Sequence, residues 1–436
     1  MPIGPAIVDV VASTGLGGFF FDDQAAIKAG AGRDGYIYGG VAVTDGYAAI
    51  REPAESVSVM LVLDDGYVAV GDCASVQYAG VGGREPRLVA GRLAQRIEVE
   101  LGPRLVGVGL ASFRVAMSSA REVIMDLGLG RAAAYGVSQA LLDATAHAAG
   151  HHLMGRVIRD EWGLPGILSP VPLYAQTGED RYDGVDKMLL KRVPILPHGL
   201  INTRELVGPD GQALVDYVRW IRRRLALISD DAYVPILHLD VYGMVGVEAG
   251  GSIPRTADIL MRLEDAAGPH QVRVEHPIDA GSYDGQIATT GELRDLLRRR
   301  GSRVELVVDE WANTLDDIDG FVRAGATDLI QIKTPDLGSL DDIVEAVAIC
   351  KAGGVGAILG GSCAETDRSA RATTHIGIAT GVSQMLAKPG MGVDEGLSIV
   401  TNEMHRAVRL DERLAASQRA LAIPHAPTPR TTLGPR

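Results

Sequence analysis

The sequence predicts an α/β protein in which a closed barrel of parallel strands follows a smaller region of mixed α+β structure. The first observation is a series of short apolar segments from about Pro170 onward, which alternate with longer amphipathic segments. The apolar segments read "VPLYAQ", "VPILHLDVYG", "QVRVEHP", "VELVVDEW", "DLIQIKTPD" and "VGAILGGS", and segments such as "ALVDYVRWIRRRLALI" and "TGELRDLLRRRG" lie between them. Repeated strand–helix units form parallel sheets, and a series this long favours a closed barrel over an open sheet.

The second observation is a hairpin pattern in the first part of the chain. The segment "SVSVMLVLDDGYVAVGDC" predicts two strands joined by a tight turn at Asp65–Gly66, because Asp-Gly is a favoured dipeptide in hairpin turns. Residues 132–149 have the pattern of a helix that ends near Gly150. Strands and helices therefore both occur before the barrel, which predicts a separate α+β region there.

Composition narrows the class of protein. The chain has 436 residues and 46% hydrophobic residues, enough for a large barrel with an added domain. Its formal net charge of −13 argues against a nucleic-acid partner. Three cysteines suggest reduced thiols in the cytosol and not a disulfide framework. No signal peptide or membrane-spanning segment is expected, so we expect a cytoplasmic protein, and the Pro-rich tail from about Leu421 is expected to be disordered.

Three acidic residues stand at the ends of successive predicted barrel strands: Asp240 in "HLDVYG", Glu275 in "RVEHP" and Asp309 in "VVDEW". Active sites of such barrels lie at the C-terminal ends of the strands. Three carboxylates at one point would repel one another, and a divalent cation would relieve the repulsion. An all-oxygen ligand set favours Mg²⁺ over Zn²⁺. The alternative is that each acid is a solvent-exposed residue at the edge of a loop.

Lys333 follows on the next strand, in "LIQIKTPDLG". Ile330 and Ile332 alternate with Gln331 and Lys333, which is the pattern of a half-buried strand. Lysine is rarely buried without a partner, so a solvent-exposed face is the simpler interpretation. Its place after Asp309 favours instead a position facing the same metal, with Gln331 on the same face.

Three other patterns were weighed against this site. "GLGRAA", from Gly128 to Ala133, fits a dinucleotide-binding fingerprint, but the expected acidic residue does not follow, so a helix start is preferred. His147, His151 and His152 have near-metal spacing but lack a Cys or carboxylate partner, so a solvated helix face is preferred. Cys363 lacks an adjacent base and is therefore not expected to act as a nucleophile.

The motifs "HLDVYG", "VVDEW", "QIKTPDLG", "GGSCAET" and "LAKPGMGVDEG" resemble those of the methylaspartate ammonia-lyase family of the enolase superfamily. The segments "GGFFFDDQAAIKAGAGRDG", "GDCASVQYAGVGGREP", "YAQTGEDRYDGVDKM" and "LPHGLIN" resemble the same family. The resemblance extends from about Ile7 to about Val408, and it rests on many long motifs.

This resemblance implies an enolase-like fold, with an N-terminal α+β capping domain in residues 1–165 and a modified TIM barrel, (β/α)₇β, in residues 166–412. Residues 413–436 would hold the end of the C-terminal helix and the disordered Pro-rich tail. The resemblance also implies a homodimer that uses Mg²⁺, for which Mn²⁺ can substitute, with K⁺ as a supporting monovalent cation.

The site residues implied by the resemblance fall into three groups. The Mg²⁺ ligands would be Asp240, Glu275 and Asp309. Lys333 would be the base that removes the C3 proton of (2S,3S)-3-methylaspartate. His198 would lie across the substrate from it and either serve the other proton face or polarise a carboxylate. The groups that hold the substrate carboxylates and amine would be Gln77, Gln176, Gln331, Ser362 and Cys363.

Two positions depart from the family pattern: Ser362 stands where Thr is usual, and Ile358 where an aromatic residue is usual. Serine keeps the hydroxyl group, so we expect substrate anchoring to survive. We expect Ile358 to widen the wall of the substrate pocket and to admit a C3 substituent larger than methyl.

The implied reaction is an elimination of ammonia through an enolate, which gives mesaconate and would serve glutamate degradation. An acid-sugar dehydratase or a racemase of the same superfamily is the alternative within the fold, since both start from the same proton abstraction. A catalytically silent barrel that acts as a binding protein is the alternative from another class. The motif matches in the substrate loops disfavour the first alternative, and the presence of the carboxylates, lysine and histidine disfavours the second.

Overall fold

The structure, a computed structural model, describes residues 4–228 and 232–422. Almost all of the predicted Pro-rich tail lies outside the described residues. None of the helices in the described part of the chain combines the length and the hydropathy needed to cross a membrane.

The first part of the chain forms a three-stranded antiparallel sheet, a small two-stranded sheet and a group of helices. The strands are β1 (Ile7–Asp22), β2 (Arg33–Asp34), β3 (Ile37–Tyr38), β4 (Arg51–Leu63) and β5 (Val68–Cys73). The helices are α1 (Gln24–Lys28), α2 (Ala90–Arg96), α3 (Gly102–Leu105), α4 (Phe113–Leu127), α5 (Arg131–Ala148) and α6 (Met154–Glu161), with a π-helical turn at Ile97–Leu101.

The predicted hairpin and the predicted helix of this region are confirmed. β4 and β5 pair in antiparallel fashion around the Asp65–Gly66 turn, where Gly66 has a φ of +88° that favours glycine. The helix predicted for residues 132–149 is α5. The sequence analysis did not predict β1, which pairs with β4 along most of its length and has irregularities in register. Three glycines in "STGLGG" weaken its strand pattern.

Helix α5 lies directly on this sheet because two glycines permit a close approach. A Cβ atom built on Gly71 of β5 would come within 2.1 Å of the carbonyl oxygen of Gly136 in α5. A Cβ atom on Gly136 would come within 2.5 Å of the backbone nitrogen of Cys73. The helix and the strand are therefore in contact through their backbones, and no side chain larger than hydrogen fits between them.

The second part of the chain is a closed barrel, as predicted, and its eight strands in the described residues are all parallel to their neighbours. The strands are β6 (Leu173–Tyr174), β7 (Ile195–His198), β8 (Ile236–Asp240), β9 (Val272–Glu275), β10 (Glu305–Val308), β11 (Leu329–Ile332), β12 (Gly356–Leu359) and β13 (Gln384–Leu386). Around the barrel the order is β6 to β13, and β13 closes against β6.

Helices connect the barrel strands. They are α7 (Arg181–Leu190), α8 (Arg204–Val207), α9 (Gln212–Ile228), α10 (Met244–Glu248), α11 (Ile253–Ala267), α12 (Tyr283–Arg299), α13 (Leu315–Ala324), α14 (Thr334–Leu337), α15 (Leu340–Ala352), α16 (Asp367–Thr380) and α17 (Val393–Ala422), with a 3₁₀ turn at Pro209–Gly211. Helix α5 of the first part packs on α14 and α15 of the barrel. One continuous hydrophobic core runs through both parts, from Val57 and Leu61 to Leu237 and Val274.

Two barrel strands were absent from the sequence prediction. β7 has the sequence "ILPH", with Pro197 in its interior, and proline argues against a central strand because it cannot donate a ladder hydrogen bond. β13 is only three residues long, which is too short to show the alternation of apolar and polar residues that is typical of a strand. Tertiary packing inside the closed barrel stabilises both segments as strands.

We expect Gly71→Ala to lower the free energy of unfolding by at least about 1–3 kcal/mol, because the added methyl group would overlap the backbone of α5. Gly91→Ala is the matched control. Gly91 lies in α2 with no atom within 4 Å of its built Cβ, so alanine should be neutral or stabilising by up to about 1 kcal/mol. Urea denaturation followed by circular dichroism measures both variants, and equal stability of the two would contradict the close contact.

Candidate active site

Three buried carboxylates meet at the C-terminal end of the barrel. Asp240 and Glu275 are the last residues of β8 and β9, and Asp309 directly follows β10. All three are at most 1% exposed, and one oxygen atom from each lies within 4.8 Å of those of the others. Adjacent parallel strands bring their ends together, so the placement predicted from three separate sequence segments is the one observed.

Each carboxylate has one oxygen atom held by a neighbouring group. The backbone N–H of Tyr242 donates to Oδ1 of Asp240 at 3.2 Å. Nε2 of His238 lies 2.8 Å from Oε2 of Glu275. These contacts fix the orientation of the Asp240 and Glu275 carboxylates, and Oε1 of Glu275 accepts no hydrogen bond from the described residues.

The third carboxylate, Asp309, lies between two cationic side chains. Nη2 of Arg84 donates to Oδ1 of Asp309 at 3.3 Å, and Nζ of Lys333 is 2.6 Å from Oδ2. The lysine side chain is 13% exposed, so the solvent-exposed alternative for Lys333 is wrong.

The remaining oxygens of this group fit a hard divalent cation. Oδ2 of Asp240 and Oε1 of Glu275 accept no hydrogen bond from any described residue, and unpaired buried carboxylate oxygens are costly. Burial, together with Asp240 and Asp309, raises the pKa of Glu275 well above its usual value. Burial raises the pKa of Asp309 to about 6, although Lys333 opposes the shift. A divalent cation bound to the three oxygens would remove both penalties.

Lys333 and His198 each contact one of these carboxylates. Burial by itself lowers the pKa of Lys333, but the carboxylate of Asp309 opposes it, and the net pKa lies above the usual value. The backbone N–H of Leu200 donates to Nδ1 of His198 at 3.3 Å, which places the imidazole proton on Nε2. That Nε2 lies 3.3 Å from Oδ2 of Asp240, an ion-pair distance without the geometry of a hydrogen bond.

A small cavity lies beside these groups, and the predicted substrate-binding residues line it together with His198, Glu275 and Lys333. The predicted residues are Gln77, Gln176, Gln331, Ser362 and Cys363. They come from both parts of the chain, since Gln77 follows β5 and the others belong to the barrel. The structure thus brings all the site residues predicted from the sequence to one place.

The amide side chains in the cavity differ in their partners. Nε2 of Gln176 donates to the carbonyl oxygen of Gly390 at 2.9 Å. Oε1 of Gln331 accepts no hydrogen bond within the described chain, which leaves it available to a bound molecule.

Gln77 joins the first part of the chain to the barrel. Its backbone N–H donates to Oγ of Ser362 at 2.9 Å, and its Nε2 donates to Oδ2 of Asp22 at 2.8 Å. Sγ of Cys363 donates to Oε1 of Gln77 at 3.3 Å. Burial raises the pKa of the Cys363 thiol to about 12, so it is a protonated donor, and a thiolate nucleophile is disfavoured.

One cationic residue of this site, Arg84, was not predicted from the sequence. Nε of Arg84 donates to Oδ2 of Asp336 at 2.8 Å, and its Nη1 is 3.7 Å from Oε1 of Glu310. Nδ1 of His276 is 3.1 Å from Oε2 of the same Glu310. Burial favours a raised pKa for Glu310, but His276 and Arg84 outweigh it and lower the pKa well below its usual value. Arg84 lies in the segment "GGREP", which shows no local sign of this role. Its partner Asp309 is 225 residues away.

A second missed feature is a buried ion pair behind the cavity. Nζ of Lys388 lies 2.9 Å from Oε1 of Glu365 and donates to Oγ1 of Thr334 at 2.8 Å. The hydroxyl of Tyr135 donates to Oε2 of Glu365 at 2.6 Å, and the backbone N–H of Ser362 donates to Oε1 at 2.9 Å. This pair therefore supports both the loop that bears Ser362 and the residue that follows Lys333.

Ile358 does not lie in the wall of the cavity as expected, and the tolerance of a larger C3 substituent stays a prediction. Its side chain is fully buried and packs against Val307 and Leu329 in the interior of the barrel, and it is not among the residues that line the cavity. It therefore cannot widen the pocket wall by direct contact.

The "GLGRAA" segment and His147 both lie outside the candidate site. Gly128 ends α4, and Gly130 precedes α5, which confirms a helix start in "GLGRAA". Nε2 of His147 lies 2.7 Å from Oδ2 of Asp65, and its ring stacks on that of Tyr67. His147 therefore has a carboxylate partner in a partly exposed pair, contrary to the expectation that these histidines lack one.

Comparison with known proteins gives a consistent result over more than nine tenths of the chain. The family model described as methylaspartate ammonia-lyase N-terminus matches residues 6–163, and the one described as methylaspartate ammonia-lyase C-terminus matches residues 166–413. The methylaspartate ammonia-lyase of Clostridium tetanomorphum is 46% identical over 93% of this chain and 98% of its own length. That of Citrobacter amalonaticus is 46% identical over 91% and 97% of the two chains.

Comparison with solved structures also gives methylaspartate ammonia-lyases. The Mg-complex of β-methylaspartase from Clostridium tetanomorphum has a TM-score of 0.86 at 46% identity and covers 94% of this chain and 99% of its own. The Citrobacter amalonaticus enzyme containing (2S,3S)-3-methylaspartic acid has a TM-score of 0.89 at 45% identity, over 93% and 99% of the two chains. A muconate lactonizing enzyme from Pseudomonas fluorescens, with a TM-score of 0.57 at 16% identity over 86% and 85%, is similar in fold alone.

We expect Lys388→Met to lower the free energy of unfolding by about 3–5 kcal/mol, because it leaves the carboxylate of Glu365 buried without its cation. The double variant Lys388→Met/Glu365→Gln should recover part of this loss. Lys191→Met is the control, since Lys191 is 45% exposed in its pair with Asp394 and should change stability by no more than about 1 kcal/mol. Guanidinium denaturation measures all three, and a Lys388→Met protein as stable as the control would refute the role of the pair.

Proposed function

Because the chain belongs to the methylaspartate ammonia-lyase family, we propose that it is a carbon–nitrogen lyase that eliminates ammonia from (2S,3S)-3-methylaspartate to give mesaconate. The observation that carries the proposal is the contact of Lys333 with a buried group of three carboxylates at the edge of a cavity. A base beside a metal centre is the arrangement needed to remove a proton next to a carboxylate.

Asp240, Glu275 and Asp309 would hold Mg²⁺ through the oxygens that face one another. The cation would supply positive charge that stabilises the dianionic enolate of the substrate and offsets the carboxylates that face the lysine. The relative from Clostridium tetanomorphum was solved as a Mg-complex, which supports this choice of cation.

Lys333 would accept the C3 proton of the substrate. An unperturbed lysine has a pKa near ~10.4 and is mostly charged at neutral pH, so it must lose its proton before it can act as a base. Burial favours the neutral amine, whereas Asp309 favours the ammonium form. When the carboxylate charge is neutralised, burial becomes the dominant influence on Lys333.

The other groups would orient the substrate, and His198 would act on its C3 epimer. His198 lines the same cavity as Lys333 and would serve the opposite face of C3. Gln77, Gln331 and Ser362 would hold the substrate carboxylates and the amine, with Gln176 and Cys363 beside them. The enolate would then break the C2–N bond, and ammonia would leave.

An acid-sugar dehydratase or a racemase would begin with the same proton abstraction. The identity of 46% to named methylaspartate ammonia-lyases, over nearly the full length of both chains, favours ammonia elimination. Incubation of the purified protein with 3-methylaspartate, and separately with a panel of acid sugars, tests the choice, since release of ammonia only from the former is expected.

Several finer assignments are part of the same proposal. Mn²⁺ would substitute for Mg²⁺, K⁺ would support activity, and two chains would form a homodimer. The domain boundaries would fall at residues 165/166 and 412/413. The three cysteines are unpaired and buried, which is compatible with the proposed cytoplasmic location.

Activity should depend strictly on a hard divalent cation, because three carboxylates without one repel each other. Chelation should abolish mesaconate formation, and Mg²⁺ or Mn²⁺ should restore it, whereas Asp309→Asn should stay inactive after metal is added. Asp216→Asn, an exposed aspartate on α9, is the control and should recover fully. Full activity after exhaustive chelation, with no metal found by elemental analysis, would end the metal proposal.

Lys333→Ala should lower the rate with the (2S,3S) substrate by at least about 10²–10⁴-fold, the usual contribution of a positioned base. His198→Ala should harm the C3 epimer more than the (2S,3S) form if it serves the opposite face. Initial rates with both diastereomers, and C3–H exchange in D₂O followed by NMR, measure the two effects. Near-normal exchange in Lys333→Ala would show that another group removes the proton.

A further inference from the structure

A chain of polar side chains crosses the interior of the barrel beneath the carboxylates. Arg273 lies two residues before Glu275 on β9, and His238 lies two residues before Asp240 on β8, so both share the inward face of their strands. Gln384 reaches toward them from β13, which pairs with neither of these strands.

These side chains are linked by consecutive hydrogen bonds. Nη1 of Arg273 donates to Oε1 of Gln384 at 2.5 Å. Nε2 of Gln384 is 2.9 Å from Nδ1 of His238, and Nε2 of His238 is 2.8 Å from Oε2 of Glu275.

The direction of every bond in this chain follows from its first member. A guanidinium group has only donors, so the atom of Gln384 that faces Arg273 must be the amide oxygen. The amide nitrogen then faces His238 and donates to Nδ1, which must carry a lone pair. The proton of the neutral imidazole is therefore on Nε2, where it is donated to Glu275.

The surroundings hold this arrangement in place. His238 and Gln384 are both fully buried, and the imidazole stacks on the ring of Tyr174 with centroids 4.2 Å apart. At the outer end, Nε of Arg273 donates to Oε2 of Glu305 at 2.8 Å. The guanidinium is thus fixed at both of its edges, and the imidazole has little room to rotate.

We propose that Gln384 and His238 are positioning residues, which fix one imidazole tautomer and thereby turn Oε1 of Glu275 toward the metal. Oε2 of Glu275 is occupied by His238, and Oε1 accepts no hydrogen bond from the described residues. This inference rests on the proposed metal centre. It explains why Glu275 would present Oε1, and not Oε2, to the metal. Partners of metal ligands commonly change metal affinity about 10–100-fold when they are removed.

The test uses Gln384→Met, which removes the donor to Nδ1 but keeps the length of the side chain. We expect Mg²⁺ titrated into the metal-free protein to bind about 10–100-fold more weakly, as measured by calorimetry. In ¹⁵N spectra of histidine-labelled protein, the two ring nitrogens of His238 should change from one fixed tautomer to a mixture. The His238→Gln protein assigns those signals by their loss.

Three further variants separate positioning from packing. Gln139→Met makes the same change at a buried glutamine that bonds to the backbone of Asp72, and it should leave Mg²⁺ affinity and the imidazole signals unchanged. Arg273→Met, at the less buried end of the chain, should free the amide of Gln384 to turn and should mix the tautomers. Arg273→Lys keeps a side chain that can only donate hydrogen bonds. Unlike Arg273→Met, it should therefore keep the single tautomer of His238.

The outcomes distinguish this inference from the proposed function. If the unmodified protein binds no Mg²⁺, the metal centre is wrong and the positioning role falls with it. If the unmodified protein binds Mg²⁺, but Gln384→Met and Arg273→Met keep the same affinity and the same imidazole signals, the metal centre stands and the positioning role is overturned.

Discussion

Mutual repulsion among three buried carboxylates is the constraint on which the rest of this structure depends. Asp240, Glu275 and Asp309 are brought together by adjacent strands of a closed barrel, and each is at most 1% exposed. Two neighbouring cationic side chains compensate part of this charge. Arg84 and Lys333 supply cations, and the oxygens that remain face a position suited to a metal ion.

The same charge makes a lysine useful as a base. A buried lysine without a partner would be neutral, and a lysine beside a carboxylate would be a permanent cation. The carboxylate of Asp309, which is also a candidate metal ligand, keeps the pKa of Lys333 above its usual value. In the proposed mechanism, a cation held by Asp309 would weaken this effect of the carboxylate on the pKa of Lys333 and would thereby couple cofactor binding to catalysis.

The sequence predicted the features that depend on local pattern. Period-two alternation placed the carboxylates and Lys333 on the inward faces of their strands, and the Asp65–Gly66 turn predicted the hairpin. Features that depend on distant contacts were not predictable. Arg84 and Lys388 acquire their roles from partners far along the chain or on other elements, and Ile358 was assigned to a pocket wall although its strand position directs it into the core. Strand β7 was not predicted because Pro197 disfavours a central strand. Packing inside the closed barrel outweighs that local preference.

The bonds of Gln77 have a consequence for how proteins of this kind diverge. Its backbone N–H and its amide oxygen bond to Ser362 and Cys363, 285 and 286 residues away. The wall of the cavity is therefore specified jointly by two parts of the chain that a recombination event would separate. A barrel combined with a foreign N-terminal region would keep the three carboxylates but lose the bonds that join Gln77 to Ser362 and Cys363. New substrate preferences are accordingly expected to arise through paired substitutions across this boundary and not through exchange of whole domains.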